Sequence, residues 1–178
     1  FCEQFCAVLP EHPFTYGGAV TLRPGDLPSS LPSELADACT ALVAATGLRG
    51  LCGIDVIAAD ARWWLIDINP RPGATFALHE RTASLLRLHI DAVRGHLPKV
   101  RVSVPTSHRG HAIVYAPRRI ETRAWRWPAW VSDRPRPMLA INAGEPICTV
   151  HAQAAQPCEV SATLRARQNH ILNLINMW

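Results

Sequence analysis

The sequence has almost no lysine and no long apolar run. Lys99 is the only lysine among 178 residues, so arginine supplies nearly all of the positive charge behind the net +4. No stretch approaches the roughly 20 consecutive apolar residues of a membrane-spanning helix. No leader of basic, apolar and small residues opens the chain. These absences predict a cytoplasmic protein without a membrane partner.

The cysteines do not follow a common zinc pattern. No two of the six have C-x-x-C spacing, which is the usual sign of a structural zinc site. Cys39, Cys52 and Cys148 lie among apolar neighbours, as small buried thiols do. We therefore expect reduced thiols and no zinc site.

The residues that are present predict an α+β fold. Apolar side chains make up 48% of the chain, enough to build a core, and their spacing alternates between helical and strand periods. We expect a mostly antiparallel sheet with flanking helices. The predicted helices run from an N-cap at Ser33 to Thr46, from Leu78 to Gly95, and onward from Glu159. The predicted strands are residues 1–9, two runs on either side of a turn at Ala61, residues 111–116, and a pair within 138–152.

A change in sequence character predicts two domains. Residues 1–107 contain the acidic strands and two of the predicted helices, and the connecting segment GHLPKVRVSVPTSHRG, residues 95–110, leads from them into a different region. Residues 108–178 are predicted to form a smaller, β-rich C-terminal extension that ends in a helix.

The segment WWLIDINPRPGAT, residues 63–75, places polar side chains in an apolar strand just where proline must end it. If the hairpin turns about Ala61, Asp55 lies opposite Asp67. Asn69 then projects from the same face, because side chains alternate along a strand. Two carboxylates and an amide oxygen would meet at one spot.

Opposed carboxylates repel each other and are costly to bury without a cation. Oxygen ligands favour Mg²⁺ over zinc, so Asp55, Asp67 and Asn69 are predicted metal ligands. Arg71 could bind a phosphate or carboxylate in the same space. A purely structural interpretation stays open. In it, Asp67 caps a loop and Asn69 starts an Asx-turn, while Asp55 pairs with Arg71.

The paired segments GIDVI and WWLIDINPRP resemble the metal-binding segment of the ATP-grasp superfamily. In that superfamily an acid on one strand and an E-x-N-x-R pattern on the next hold the Mg²⁺ ions that bridge ATP phosphates. The resemblance implies that Asp55 is the first acid and that Asp67 replaces the usual Glu. It implies that Asn69 is the amide ligand and that Arg71 lies near the transferred phosphate.

Further phrases extend the resemblance over nearly all of the chain. PFTYGGAV, LHIDAVRG, WPAWVSDRP and AGEPICTV are similar to a subgroup of predicted ATP-dependent carboligases related to biotin carboxylase. The resemblance implies an ATP-dependent carboxylate-amine or related ligase that works through an acyl phosphate, with ATP and Mg²⁺ as cofactors. Its partners would be small-molecule carboxylate and amine substrates.

The resemblance also implies that residues 1–107 are the C-terminal lobe of an ATP-grasp fold. The glycine-rich flap and the phosphate-binding lysines of the first lobe do not occur, and Lys99 follows the metal motif. The alternative is therefore a non-catalytic fragment or half-ligase. Such a chain would work with a complementary N-terminal chain or as a homo-oligomer.

An arginine-rich block suggests a different kind of partner. Residues 118–136 interleave arginines with Trp125, Trp127 and Trp130, a pattern that could stack on and neutralise nucleic acid. The block is rich in proline and contains no recognised binding module. We therefore predict a surface loop in which guanidinium groups lie over aromatic faces, and no nucleic-acid partner.

Overall fold

The computed structural model describes residues 1–9, 11–59, 62–80, 84–96 and 106–176. The fold is α+β, as predicted, and all strand pairs within these ranges are antiparallel. Contacts divide the chain into two units, one of Phe1–Thr21 with Pro105–Trp178 and one of Leu22–Val104. The predicted lobe of residues 1–107 draws on both units, so its role as a separate functional domain stays a prediction.

The first unit contains a five-stranded sheet and the longest helix of the described chain. Its elements are β1 (Cys2–Cys6), β2 (Tyr16–Thr21), β5 (His108–Tyr115), β6 (Ile120–Glu121), β7 (Val131–Ser132), β8 (Ala140–Ile141), β9 (Pro146–Ala154) and α4 (Pro157–Asn176). The strand order is β1-β2-β5-β9-β7, while β6 and β8 form a separate two-stranded ribbon. Residues 1–9 and 111–116 were predicted as strands; β1 lies within the first range, and β5 overlaps the second but begins three residues earlier.

Helix α4 packs on one face of the five-stranded sheet. A Cβ on Gly110 would lie 2.7 Å from Val160 Cγ1 and 2.9 Å from Leu164 Cδ1, so the absence of a side chain on β5 allows the helix to approach closely. The helix begins two residues before the predicted Glu159, because proline is well accepted in the first turn of a helix. Its buried apolar residues recur at helical spacing: Val160, Leu164, Ile171 and Ile175.

The second unit contains three α-helices and a β-hairpin among its described residues. They are α1 (Leu31–Thr46), β3 (Gly53–Ala59), β4 (Arg62–Asn69), α2 (Phe76–His79) and α3 (Leu85–Val93). The prediction that Ser33 caps the first helix is wrong, because the helix starts at Leu31 with Pro32 in its first turn. It ends as predicted at Thr46, where Gly47 takes a left-handed conformation with φ 68°.

A single helix from Leu78 to Gly95 was predicted, and this prediction is wrong. Helix α2 ends at His79, because Glu80 has extended backbone angles. A second helix then starts after Ser84, whose hydroxyl accepts a hydrogen bond from the Arg87 amide. This cap marks a true helix start. No helix within the described ranges is long and apolar enough to cross a membrane.

Two histidines form a polar cluster on the sheet of the first unit. His111 on β5 pairs directly with His151 on β9, and their ring centroids lie 6.4 Å apart. The Tyr16 hydroxyl lies 2.7 Å from His111 Nε2, and the Ser132 hydroxyl lies 2.7 Å from His151 Nε2. Burial lowers the pKa of both histidines, although the charge of Asp133 opposes this effect.

We expect the histidine cluster to make the protein less stable in acid. A histidine whose pKa is lowered by folding takes up a proton more readily once the chain unfolds. Its stabilising contribution is complete above the unfolded pKa of about 6.5 and declines as the pH falls below that value. Urea unfolding at pH 8 and pH 5 should therefore show a smaller pH-dependent loss for the variant His111→Gln/His151→Gln than for the wild type.

His12 is exposed, so His12→Gln serves as the matched control and should retain the wild-type pH dependence. If the double variant loses as much unfolding free energy between pH 8 and pH 5 as the wild type does, other groups cause the acid sensitivity and this expectation is wrong.

Candidate metal and phosphate site

The hairpin of β3 and β4 brings two carboxylates face to face. Next to the loop, Ala59 pairs with Arg62. If this register continued along the strands without a shift, Asp55 would lie opposite Ile66. A β-bulge shifts the register and puts Asp55 opposite Asp67 instead. The predicted pairing is confirmed, but the bulge produces it, and the predicted turn position Ala61 lies outside the described residues. Bulges often redirect side chains beside functional sites.

Asn69 lies on the same face as both carboxylates, as predicted. Its Nδ2 donates to Asp67 Oδ2 at 3.0 Å and to Asp55 Oδ2 at 3.4 Å. Asp67 Oδ1 also accepts from the backbone amide of Ile68 at 2.8 Å. The side-chain amide therefore offsets part of the repulsion between the two acids. The three residues form one cluster that can reach a common ligand.

Arg71 follows the cluster after a tight turn. Its backbone amide donates to the main-chain carbonyl of Asn69 at 2.8 Å, so this amide does not form the Asx-turn of the structural interpretation. The guanidinium is exposed and donates from Nη1 to the Pro72 carbonyl at 3.3 Å. A role of Arg71 at a phosphate stays a prediction.

Two hydrogen bonds that the sequence did not reveal hold the ends of the hairpin. Trp63 Nε1 on β4 donates to Glu34 Oε2 on α1 at 3.2 Å. The Leu51 amide, two residues before β3, donates to His89 Nδ1 on α3 at 3.0 Å. Helix α1 is therefore tied to the loop end of the hairpin, where Trp63 pairs with Ala58, and α3 is tied to the other end, near the acids.

The donor set suits a hard cation. Within the described ranges, no group of three or more His, Cys, Asp or Glu residues could hold a metal, so the candidate site consists of two carboxylates and one amide. Magnesium ions are commonly held by one or two carboxylates together with waters and phosphate oxygens. A flip of the Asn69 amide would exchange Nδ2 for Oδ1 and complete an all-oxygen set. The residues present therefore fit Mg²⁺.

The same segment is recognised by comparison with known families. Residues 1–75 match a family described as an ATP-grasp domain, and this range includes Asp55, Asp67, Asn69 and Arg71. The chain is related to the ATP-grasp superfamily. No curated protein matches it.

Solved structures are similar in fold to most of this chain. A single-chain, multi-domain long-chain acyl-CoA carboxylase matches with a TM-score of 0.64, 16% identity and coverage of 86% of this chain. The biotin carboxylase domain of a single-chain bacterial carboxylase matches with a TM-score of 0.59, 15% identity and 85% coverage. N5-carboxyaminoimidazole ribonucleotide synthetase from Thermus thermophilus matches with a TM-score of 0.59, 12% identity and 92% coverage.

These likenesses show the fold alone, because the identities are low. The chain spans only 19%, 38% and 43% of the lengths of the three structures, in the order given. Nothing in the comparisons assigns the roles of the four predicted site residues.

We expect Asn69→Ala to destabilise the cation-free protein by about 1 kcal/mol, because it removes a donor shared by two carboxylates. Neutralising one acid should remove most of the need for that donor. Asn69→Ala should therefore cost less in the background of Asp67→Asn than in the wild type. Urea unfolding of the four proteins of this double-mutant cycle, in EDTA, measures the difference.

Asp37 lies on the exposed side of α1, outside the cluster, so Asp37→Asn provides a matched background. Asn69→Ala should cost the same there as in the wild type. Equal costs in all three backgrounds would mean that the amide does not offset the repulsion between Asp55 and Asp67.

Proposed function

We propose that this chain carries the metal- and phosphate-binding segment of an ATP-dependent ligase. The observation that carries the proposal is the convergence of Asp55, Asp67 and Asn69 on one face of the hairpin. The relation to the ATP-grasp superfamily supports ATP as the nucleotide. Neighbours that are a carboxylase, a carboxylase domain and a synthetase support a ligase-type reaction.

Asp55, Asp67 and Asn69 would hold Mg²⁺ in this proposal. Bound there, the ion would neutralise charge on the β- and γ-phosphates of ATP. Asp67 has a shorter side chain than the glutamate usual in the superfamily, so it would reach the ion with a single oxygen more readily than with two. Arg71, just beyond the strand end, would stabilise negative charge on the phosphoryl group as it is transferred.

The finer assignment is a carboxylate-amine or related ligase that works through an acyl phosphate. It rests on the resemblance to predicted carboligases related to biotin carboxylase. In such a reaction the carboxylate substrate attacks the γ-phosphorus, ADP leaves, and the nucleophile then displaces phosphate from the acyl group. The residues of the hairpin would hold the cation that neutralises the phosphates, and they would not form a covalent bond with the substrate.

A second candidate function is supported by exposed apolar side chains in the second unit. Ile57, Trp64, Leu65 and Ile66 on the hairpin are between 44% and 58% exposed. Ile57 and Trp64 pair directly across the two strands, and exposed apolar groups that lie together commonly mark a surface that another polypeptide covers. Under this proposal the chain is a half-ligase that binds ATP only with a complementary lobe, from another chain or from a second copy.

Two titrations test these proposals. The first measures Mn²⁺ binding, by its paramagnetic effect on NMR signals of the hairpin, as a probe of the Mg²⁺ site. The second measures ATP binding by calorimetry with and without Mg²⁺. We expect Asp67→Ala/Asn69→Ala to weaken both kinds of binding at least tenfold, because two of the three cation ligands are removed.

Asp37→Ala removes an exposed acid outside the hairpin and should leave both titrations unchanged. Asp67→Glu restores the usual residue of the superfamily and should retain metal binding. Metal binding without ATP binding would favour the half-ligase. Metal binding that the double variant does not weaken would overturn the site itself.

A further inference from the structure

An arginine-lined pocket lies in the first unit, outside the hairpin unit that carries the candidate metal site. It has a volume of about 250 Å³. This is smaller than the roughly 300–1,000 Å³ of pockets that enclose whole small molecules, so it suits a head group. Its lining consists of consecutive or alternate residues around strand β6: Arg118, Arg119, Ile120, Glu121 and Arg123.

Strand alternation places three of these side chains on one side of the backbone. Ile120 and Thr122 are buried, with exposures of 4% and 1%. The residues between and beside them, Arg119, Glu121 and Arg123, are exposed. Across the ribbon, Glu121 pairs with Ala140 on β8. A methyl group there leaves space beside the charged groups and adds no second acid.

The backbone that carries the arginines is held at both ends. Before it, the Ala116 amide donates to the Glu145 carbonyl at 2.9 Å, and the Gly144 amide donates to the Ala116 carbonyl at 2.8 Å. At its other end, the Thr122 amide donates to the Leu139 carbonyl at 3.0 Å. The Thr122 hydroxyl also accepts from the Leu139 amide at 2.9 Å. The backbone of the pocket is therefore held in place before binding, which lowers part of the entropic cost of holding a ligand.

The charge of the pocket favours an anion. Three guanidinium groups and one carboxylate leave an excess of two positive charges. The Arg118 guanidinium contacts the carbonyl of Ile175 at the C-terminal end of α4 at 3.5 Å, where a cation is favourable. Arg119 and Arg123 lie on the exposed side of the strand, where a ligand can reach them. Guanidinium groups bind phosphate oxygens through paired, charge-assisted hydrogen bonds.

We infer that Arg118, Arg119 and Arg123 form a binding site for the phosphate group of a small molecule. The site does not depend on a metal ion, and it is distinct from the candidate Mg²⁺ cluster. Nucleic acid is the less suitable ligand, because Trp125, Trp127 and Trp130 pack partly buried against the core. Their rings are therefore not arranged as an open stacking platform of the kind that single strands require.

Inorganic pyrophosphate is the probe that tests this site. It is titrated into the full chain in EDTA, so that no cation can recruit it to the Asp55 and Asp67 cluster. We expect Arg119→Ala/Arg123→Ala to weaken binding at least tenfold, because two of the three guanidinium groups are lost. Glu121→Gln should tighten binding several-fold, because it removes the carboxylate that repels the anion.

Arg126 is exposed in the same segment but does not line the pocket, so Arg126→Ala is the matched control and should change affinity less than twofold. Asp67→Ala/Asn69→Ala should also leave binding unchanged, which separates this inference from the proposed function. All substituted arginines are exposed, and unchanged unfolding midpoints will show that the variants fold.

Three outcomes would overturn the inference. The first is the absence of pyrophosphate binding by the wild type. The second is equal weakening by Arg126→Ala, which would mean attraction to a generally positive surface. The third is tighter binding of a single-stranded oligonucleotide than of pyrophosphate, when the oligonucleotide affinity also depends steeply on salt and is lost in Arg126→Ala.

Discussion

Repulsion between Asp55 and Asp67 is the constraint on which the arrangement of the candidate metal site depends. The bulge in β4 places the two acids opposite each other, and an antiparallel pair holds such side chains within about 5.5 Å. The Asn69 amide donates to both, which offsets the repulsion without removing either charge. Both negative charges therefore stay available to a cation. The hairpin is tied to α1 at its loop end and to α3 at the end near the acids.

The first unit separates apolar from polar groups by the alternation of its strands. Residues of β5 and β9 that face α4 are small or apolar, including Gly110, Ala112 and Val150. Between them, His111 and His151 pair with each other across the two strands and hydrogen bond to hydroxyl groups. One strand pair thus supports the core and a titratable cluster. The same alternation on β6 buries Ile120 and exposes the flanking arginine.

The spacing of apolar residues predicted several strands and helices, but it predicted the ends of the helices less well. Strand periodicity located β1, β5 and β9, and Gly47 correctly marked the end of α1. The start of α1 was misplaced, because Pro32 was taken as part of the preceding loop although the first turn of a helix accepts it. The prediction of one long helix from Leu78 was wrong, because helical spacing of apolar residues continues from α2 into α3 although the helix is interrupted between them. That break is set by the extended Glu80 and by the Ser84 cap.

The sequence by itself determined the class of the fold, several of its strands and helices, and the residue types of the candidate metal site. Periodicity and the spacing of acids, amide and arginine are local properties. Only the tertiary structure decided that a bulge sets the pairing of Asp55 with Asp67, that two distant histidines meet, and that Arg119 and Arg123 line one pocket. The physical reason is that strand register and long-range packing depend on hydrogen bonds and volumes shared between remote segments.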